Sequence, residues 1–119
     1  MGYYDRDIYV DGTGKRRIIQ RTSINASALG SNAGVAAQGA GIKIRVLGFI
    51  IISTLAQTVK FLSAAAAISA DFPVAANGGV SSDVTEFGWF ETNANEALNV
   101  NLSAATATGI QVIWVPVAA

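Results

Sequence analysis

The chain has no cysteine and no histidine. That excludes disulfides, thiol nucleophiles, the usual zinc sites and the commonest general base together. Only oxygen ligands remain for a metal, and neither a cofactor nor a catalytic residue is expected. Charge is also scarce: Asp, Glu, Lys and Arg make up 13% of the chain, about half the usual share for a soluble domain. Such a surface implies large protein contacts or a coat of Ser, Thr, Asn and Gln. Hydrophobic residues reach 51%, but many are alanines that add little apolar area each. At 119 residues the chain suits one domain with a moderate core.

The few charges are segregated. Residues 1–45 carry seven bases against three acids, and residues 46–119 carry one base against five acids. This polarity suits contact with an acidic partner surface or with a neighbouring copy. Nucleic acid is not expected, because the basic stretch around Arg16, Arg17 and Arg21 lacks a wide positive field and stacking aromatics.

A membrane span is not expected either. The apolar stretch Val46 to Ala70 has Lys60 near its middle, which costs roughly 2.5–3.5 kcal/mol at a bilayer centre. Its longest uncharged run, Val46 to Val59, is 14 residues, short of the roughly 20 a helix needs. The N-terminus resembles no signal peptide, so intracellular synthesis is expected. Gly14-Lys15 is not a P-loop, since Tyr9 stands where the first glycine belongs and Arg16 where Ser or Thr belongs.

What is present is alternation. Leu98, Val100 and Leu102 alternate with Asn99 and Asn101, and Ile110, Val112 and Trp114 alternate with Gln111, Ile113 and Val115. Each run reads as a strand with one buried face, and the two are expected to be neighbours. Ile42, Ile44 and Val46 open another strand, which becomes apolar on both faces through Ile52, as for a strand between layers or against a partner. Gly48 within it marks a bulge or a close backbone approach. Pro73 suits an edge strand, and Asn77-Gly78-Gly79 is a turn where positive φ is easily reached. Asp11-Gly12-Thr13-Gly14 is a turn signal that links a short strand around Asp7–Val10 to a second strand around Lys15–Ile24. Asn25 to Gly41 is rich in Gly, Ala, Ser and Asn, close to low complexity, and reads as a linker.

Roughly seven or eight short strands without a helical period predict an all-β fold, an antiparallel β-sandwich. Residues 1–41 are expected to form an extended N-terminal arm and linker, and residues 42–119 the sandwich.

Four strings carry a resemblance: Val59-Lys60-Phe61, Ala75-Ala76-Asn77-Gly78-Gly79, Gly88-Trp89-Phe90-Glu91-Thr92 and Glu96 through Ser103. In this order and spacing, across about residues 42–117, they resemble a small jelly-roll-like β-domain of tailed-bacteriophage structural proteins. The closest likeness is to capsid cement, or decoration, proteins. The resemblance implies a non-enzymatic homotrimer on the virion capsid surface that stabilises the major capsid protein lattice. A tail or fibre domain that binds a host-surface glycan is the alternative. The chain departs from the pattern at Ala64–Ala67, where related sequences tend to have glycine.

Under that reading Arg16, Arg17 and Arg21 are candidates for gripping the shell. Trp89, Asn99, Asn101 and Trp114 are candidates for the subunit interface, although Trp89 and Trp114 also suit a core. Glu91 and Glu96 could pass for paired carboxylates, but they read better as surface turn acids.

Overall fold

A computed structural model describes residues 8–119 as strands and loops, with no helix. The strands are β1 (Ile8–Val10), β2 (Arg16–Ile18), β3 (Gln20–Ala26), β4 (Gly30–Val35), β5 (Ile42–Ser53) and β6 (Gln57–Ser63). They continue with β7 (Ala66–Ala67), β8 (Phe72–Val74), β9 (Gly78–Ser81), β10 (Phe90–Glu91), β11 (Leu98–Leu102) and β12 (Thr108–Ala118). All pairings are antiparallel.

Eight of these strands frame two facing five-stranded sheets. The first runs β9-β5-β12-β3, with β10 on the same edge of β5 as β9. The second runs β4-β11-β6-β8, with β7 also on β6. Successive strands cross from sheet to sheet except between β6 and β8. This winding is the jelly-roll form of the β-sandwich, as expected.

Two expectations need correction. The alternating runs Leu98–Leu102 and Thr108–Ala118 are not neighbours: β11 lies in the second sheet and β12 in the first. Residues 103–107 carry the chain across the core between them. Alternation fixes which face of a strand is buried, but two strands can share a core by facing each other as well as by pairing.

The second correction concerns the boundary near Gly41, which does not separate a linker from the sandwich. β3 pairs with β12 over seven positions, and β4 pairs with β11. Both belong to the jelly roll, so the sandwich begins near Gln20. The stretch Lys15–Ile24 also breaks at Ile19, where β2 ends and β3 begins. β2 pairs with β1 instead.

The core follows from the inward alternation of both sheets. Val59, Phe61, Leu98, Val100 and Leu102 of the second sheet meet Ile44, Val46, Ile51, Ile110 and Val112 of the first. Phe49 and Phe61 sit 5.4 Å apart and Phe61 and Phe90 4.8 Å apart, binding the sheets at their centre. Gly34 shows how tightly one edge is drawn in. A Cβ there would lie 2.4 Å from the Leu98 carbonyl oxygen, so only glycine fits that crossing.

β5 contains a bulge. Gly48 stands opposite Ile113 and Val46 opposite Trp114, which leaves Leu47 unpaired. One extra residue reverses the phase of everything after it. Ile44 and Val46 point inward before the bulge and Phe49 and Ile51 after it, while Leu47, Ile50 and Ile52 are left to the outer face. The apolar character of this strand on both faces thus has a geometric cause.

Candidate interaction surfaces

The outer face of the first sheet has two halves. Over one half, Leu47, Val115 and Val117 form a second apolar cluster beneath Tyr9 and Ile19, roofed by the β1–β2 hairpin. The hairpin is held by Asp11, whose side chain is fully enclosed. Its carboxylate accepts hydrogen bonds from the Thr13 hydroxyl, the Thr13 amide at 2.9 Å, the Lys15 amide at 3.1 Å and the Arg17 Nε at 2.9 Å. A longer contact of 3.4 Å reaches the Ala118 amide on β12. The Thr13 hydroxyl does most to hold the Asp11 carboxyl far below the ordinary carboxylate range; burial opposes it, and Arg17 and the two amides add to it. Tyr9 adds a second tie, donating its hydroxyl proton to the Glu86 carbonyl and accepting from Arg45 Nη1 at 2.8 Å.

This hairpin corrects the expected arm. Arg17, a candidate for gripping a partner, is spent on Asp11. Arg16 lies exposed on β2, and Arg21 is exposed on β3, paired across the sheet with Ile113. The tether was not legible in the sequence, because an aspartate in a turn looks the same whether its carboxylate meets water or a folded chain. The first seven residues of the expected arm lie outside the described residues.

The other half of the face has no cover among the described residues. Two rows run across it: Ser81, Ile50, Gln111 and Ser23, then Gly79, Ile52, Gly109 and Asn25. None of these eight is charged. Ile50 is 41% exposed and Ile52 54%. They form a ridge with a groove on either side, of about 210 Å³ toward β9 and about 230 Å³ toward β12 and β3. Beside it the 83–89 loop raises Val84, Phe87 and Trp89 into solvent.

The four expected interface residues are scattered. Trp114 is in the core at 7% exposure, its indole Nε1 donating to the Thr22 hydroxyl at 2.9 Å, so its ring is closed to a second chain. Trp89 is half exposed; its indole Nε1 donates to the Asp83 carbonyl at 2.7 Å and its ring meets Phe49 edge-on at 6.2 Å. Asn99 and Asn101 are half-buried on the outer face of the second sheet, away from both tryptophans. The Asn99 amide donates to the Ala64 carbonyl at 3.0 Å, which ties it to the neighbouring turn.

The acids form no reactive pair. Glu91 sits between Lys43 at 3.0 Å and Arg45 at 2.8 Å. Burial would raise its carboxyl, but the hydrogen bonds and charges of Arg45 and Lys43 outweigh burial and hold it below the ordinary range. Those two bases come from the basic part of the sequence, so some of the segregated charge is neutralised internally. Glu96 accepts from the Ser63 hydroxyl at 2.6 Å and the Asn93 side chain at 3.2 Å. No group of three or more Asp or Glu that could hold a metal occurs among the described residues. No helix there is long and apolar enough to cross a membrane.

One groove has a more polar rim. Asn25, Ser27, Thr54 and Asn77, with Ile52 and Gly109 of the first sheet's outer face, line about 430 Å³ of open space at one end of that sheet. Comparison with family models, with curated proteins and with solved structures found no match.

Proposed function

We propose that this chain is a non-enzymatic virion structural protein of a tailed bacteriophage, a capsid cement protein that acts as a homotrimer on the major capsid protein lattice. The observation that carries the reading is the jelly-roll winding together with an uncharged face on one of its sheets whose ridge, Ile50 and Ile52, stays exposed among the described residues. It stands beside the sequence resemblance over residues 42–117. A jelly roll is a scaffold shared by many functions, so the argument rests on its surface. Flat apolar area rimmed by small polar groups is suited to protein contact. Stabilisation then works by mass action: a protein that binds only the assembled shell shifts the assembly equilibrium toward it.

The structure changes which part of the chain can be asked to grip the shell. Residues 20–24 belong to a sandwich strand, so an arm of residues 1–24 cannot be removed without opening the first sheet. Arg16 on the outside of the hairpin is the better placed of the basic candidates. The test is to label the protein on purified virions and map the label. Regular labelling over the whole head supports the cement reading. Label confined to the tail, or no label, overturns it.

A tail or fibre domain that binds a host-surface glycan is the second reading, favoured by the groove lined with Asn25, Ser27, Thr54 and Asn77. Short amides and hydroxyls suit sugar hydroxyls. Substituting Asn77→Ala and Thr54→Ala together should abolish binding of host-surface glycans to the purified protein. Unchanged binding, or none at the start, removes this reading.

A further inference from the structure

A strand glycine has a reason in most folds: positive φ, or no room for a Cβ. Gly109 has neither. It is the second residue of β12, flanked by a strand on either side, has no positive φ, and a Cβ added there meets nothing within 4 Å. Glycine inside a strand weakens it, and it commonly marks a place where another backbone or a ligand comes close. Among the described residues nothing comes close to Gly109. Its position is between Ile52 and Asn25, on the uncovered half of the outer face.

From this we infer that the uncovered half is a self-association surface, on which the Ile50–Ile52 ridge of one copy seats over Gly109 of a second copy. Three features select another copy of this chain as the occupant. The two rows carry no charge, so a second identical face meets it without repulsion, whereas a charged partner surface would lose hydration with nothing in return. A ridge beside a groove supplies both halves of a repeating contact, the ridge of one copy on the groove of the next, which a closed ring of copies requires. The same sheet also shows what such a face needs: where the hairpin covers it, Leu47, Val115 and Val117 are closed from solvent, while Ile50 and Ile52 on the same sheet stay open. The inference deepens the oligomeric part of the proposed function by placing a contact, but it requires no capsid.

The test is the mass of the purified full chain in solution across a wide concentration range, measured by light scattering and sedimentation. Alongside it run the variants Ile52→Lys, Gly109→Val and, as a control, Ile18→Lys. Ile18 is 60% exposed and lies on the hairpin, away from the ridge. The wild-type mass should be at least twice the 12.3 kDa of one chain. Ile52→Lys and Gly109→Val should return it to one chain, and Ile18→Lys should leave it unchanged. At low protein concentration, where association does not contribute, Gly109→Val should not lower the melting temperature, because its side chain has room in the single chain. That separates lost association from lost folding. A wild type that stays at the mass of one chain overturns the inference. So does an oligomer whose mass neither face variant changes, and in that case the capsid reading survives.

Discussion

The covered and uncovered halves of the first sheet's outer face start from similar material. Both are built on β5 and β12, and both place branched apolar side chains outward. On one half Val115 and Val117 are closed to 0% and 1% exposure by a short hairpin. On the other, Ile52 remains 54% exposed. The bulge at Leu47 divides them, because it reverses the strand's phase and turns Ile50 and Ile52 out where an unbroken strand would turn them in. An apolar outer face is therefore no accident of composition. The outward turn of Ile50 and Ile52 follows from one inserted residue, and the described residues cover neither of them.

The sharpest way to break this comparison is to shorten one apolar side chain in each half. Leu47→Ala should cost about 3 kcal/mol of folding stability, since it empties a closed site. Ile52→Ala should change it by no more than about 0.5 kcal/mol, as for an exposed position. Urea unfolding at low protein concentration, where association does not contribute, measures both. Similar losses in the two halves would show that the uncovered half packs against something within the chain.

A second contrast sets glycine against glycine. Gly34→Ala should destabilise by about 2 kcal/mol, because its Cβ would press on a backbone oxygen that cannot move cheaply. Gly109→Ala should instead stabilise the single chain by about 0.5 kcal/mol, through the smaller loss of chain entropy. Thermal unfolding of the two variants reads the sign directly.

These glycines also show what was legible in the sequence. The strands containing Leu98–Leu102 and Ile110–Trp114 were plain, because large apolar residues at period two admit few other readings. β4 was not, since Gly30, Ser31, Asn32, Ala33 and Gly34 provide no apolar alternation and only Val35 anchors them. A strand made of small residues is a strand because of what crosses it closely, and that crossing is a tertiary fact. Trp114 was legible as a core residue or as an interface residue, and only the fold separates the two. The Glu91 pairing with Lys43 and Arg45 spans almost fifty positions, beyond any local pattern. The turn at Ala64 was visible as a departure from the resembled pattern, but its geometry was not.

A third prediction concerns the hairpin that makes the covered half covered. The Asp11 carboxyl sits below its ordinary value in the folded chain. Its stabilising contribution is therefore complete above about pH 4, the unfolded value, and is lost progressively as the pH falls toward the folded one. Asp11→Asn should lower the melting temperature at neutral pH and flatten its decline between about pH 4 and about pH 2. Amide exchange at Lys15 and Ala118 should quicken in this variant, while exchange in β11 stays unchanged. A variant with the wild-type acid profile would mean that the hairpin is held by its apolar contacts alone.

The smallest effect is expected on the opposite sheet, where neither half of the comparison is touched. Ala64 holds a φ of 51° in the turn after β6, a conformation that costs a side chain with a Cβ. The Asn99 amide, hydrogen-bonded to the Ala64 carbonyl, helps keep it there. Ala64→Gly removes the steric cost but adds freedom to the unfolded chain, so the two effects partly cancel. The net result should be a gain of about 0.5 kcal/mol, read as a small rise in melting temperature. In the Asn99→Ala background the gain should grow, because alanine then holds the strained turn without its brace. Neither variant should alter the solution mass, since the turn lies away from the Ile50–Ile52 ridge. A change in mass would place a contact between chains on the second sheet, where Asn99 and Asn101 face outward.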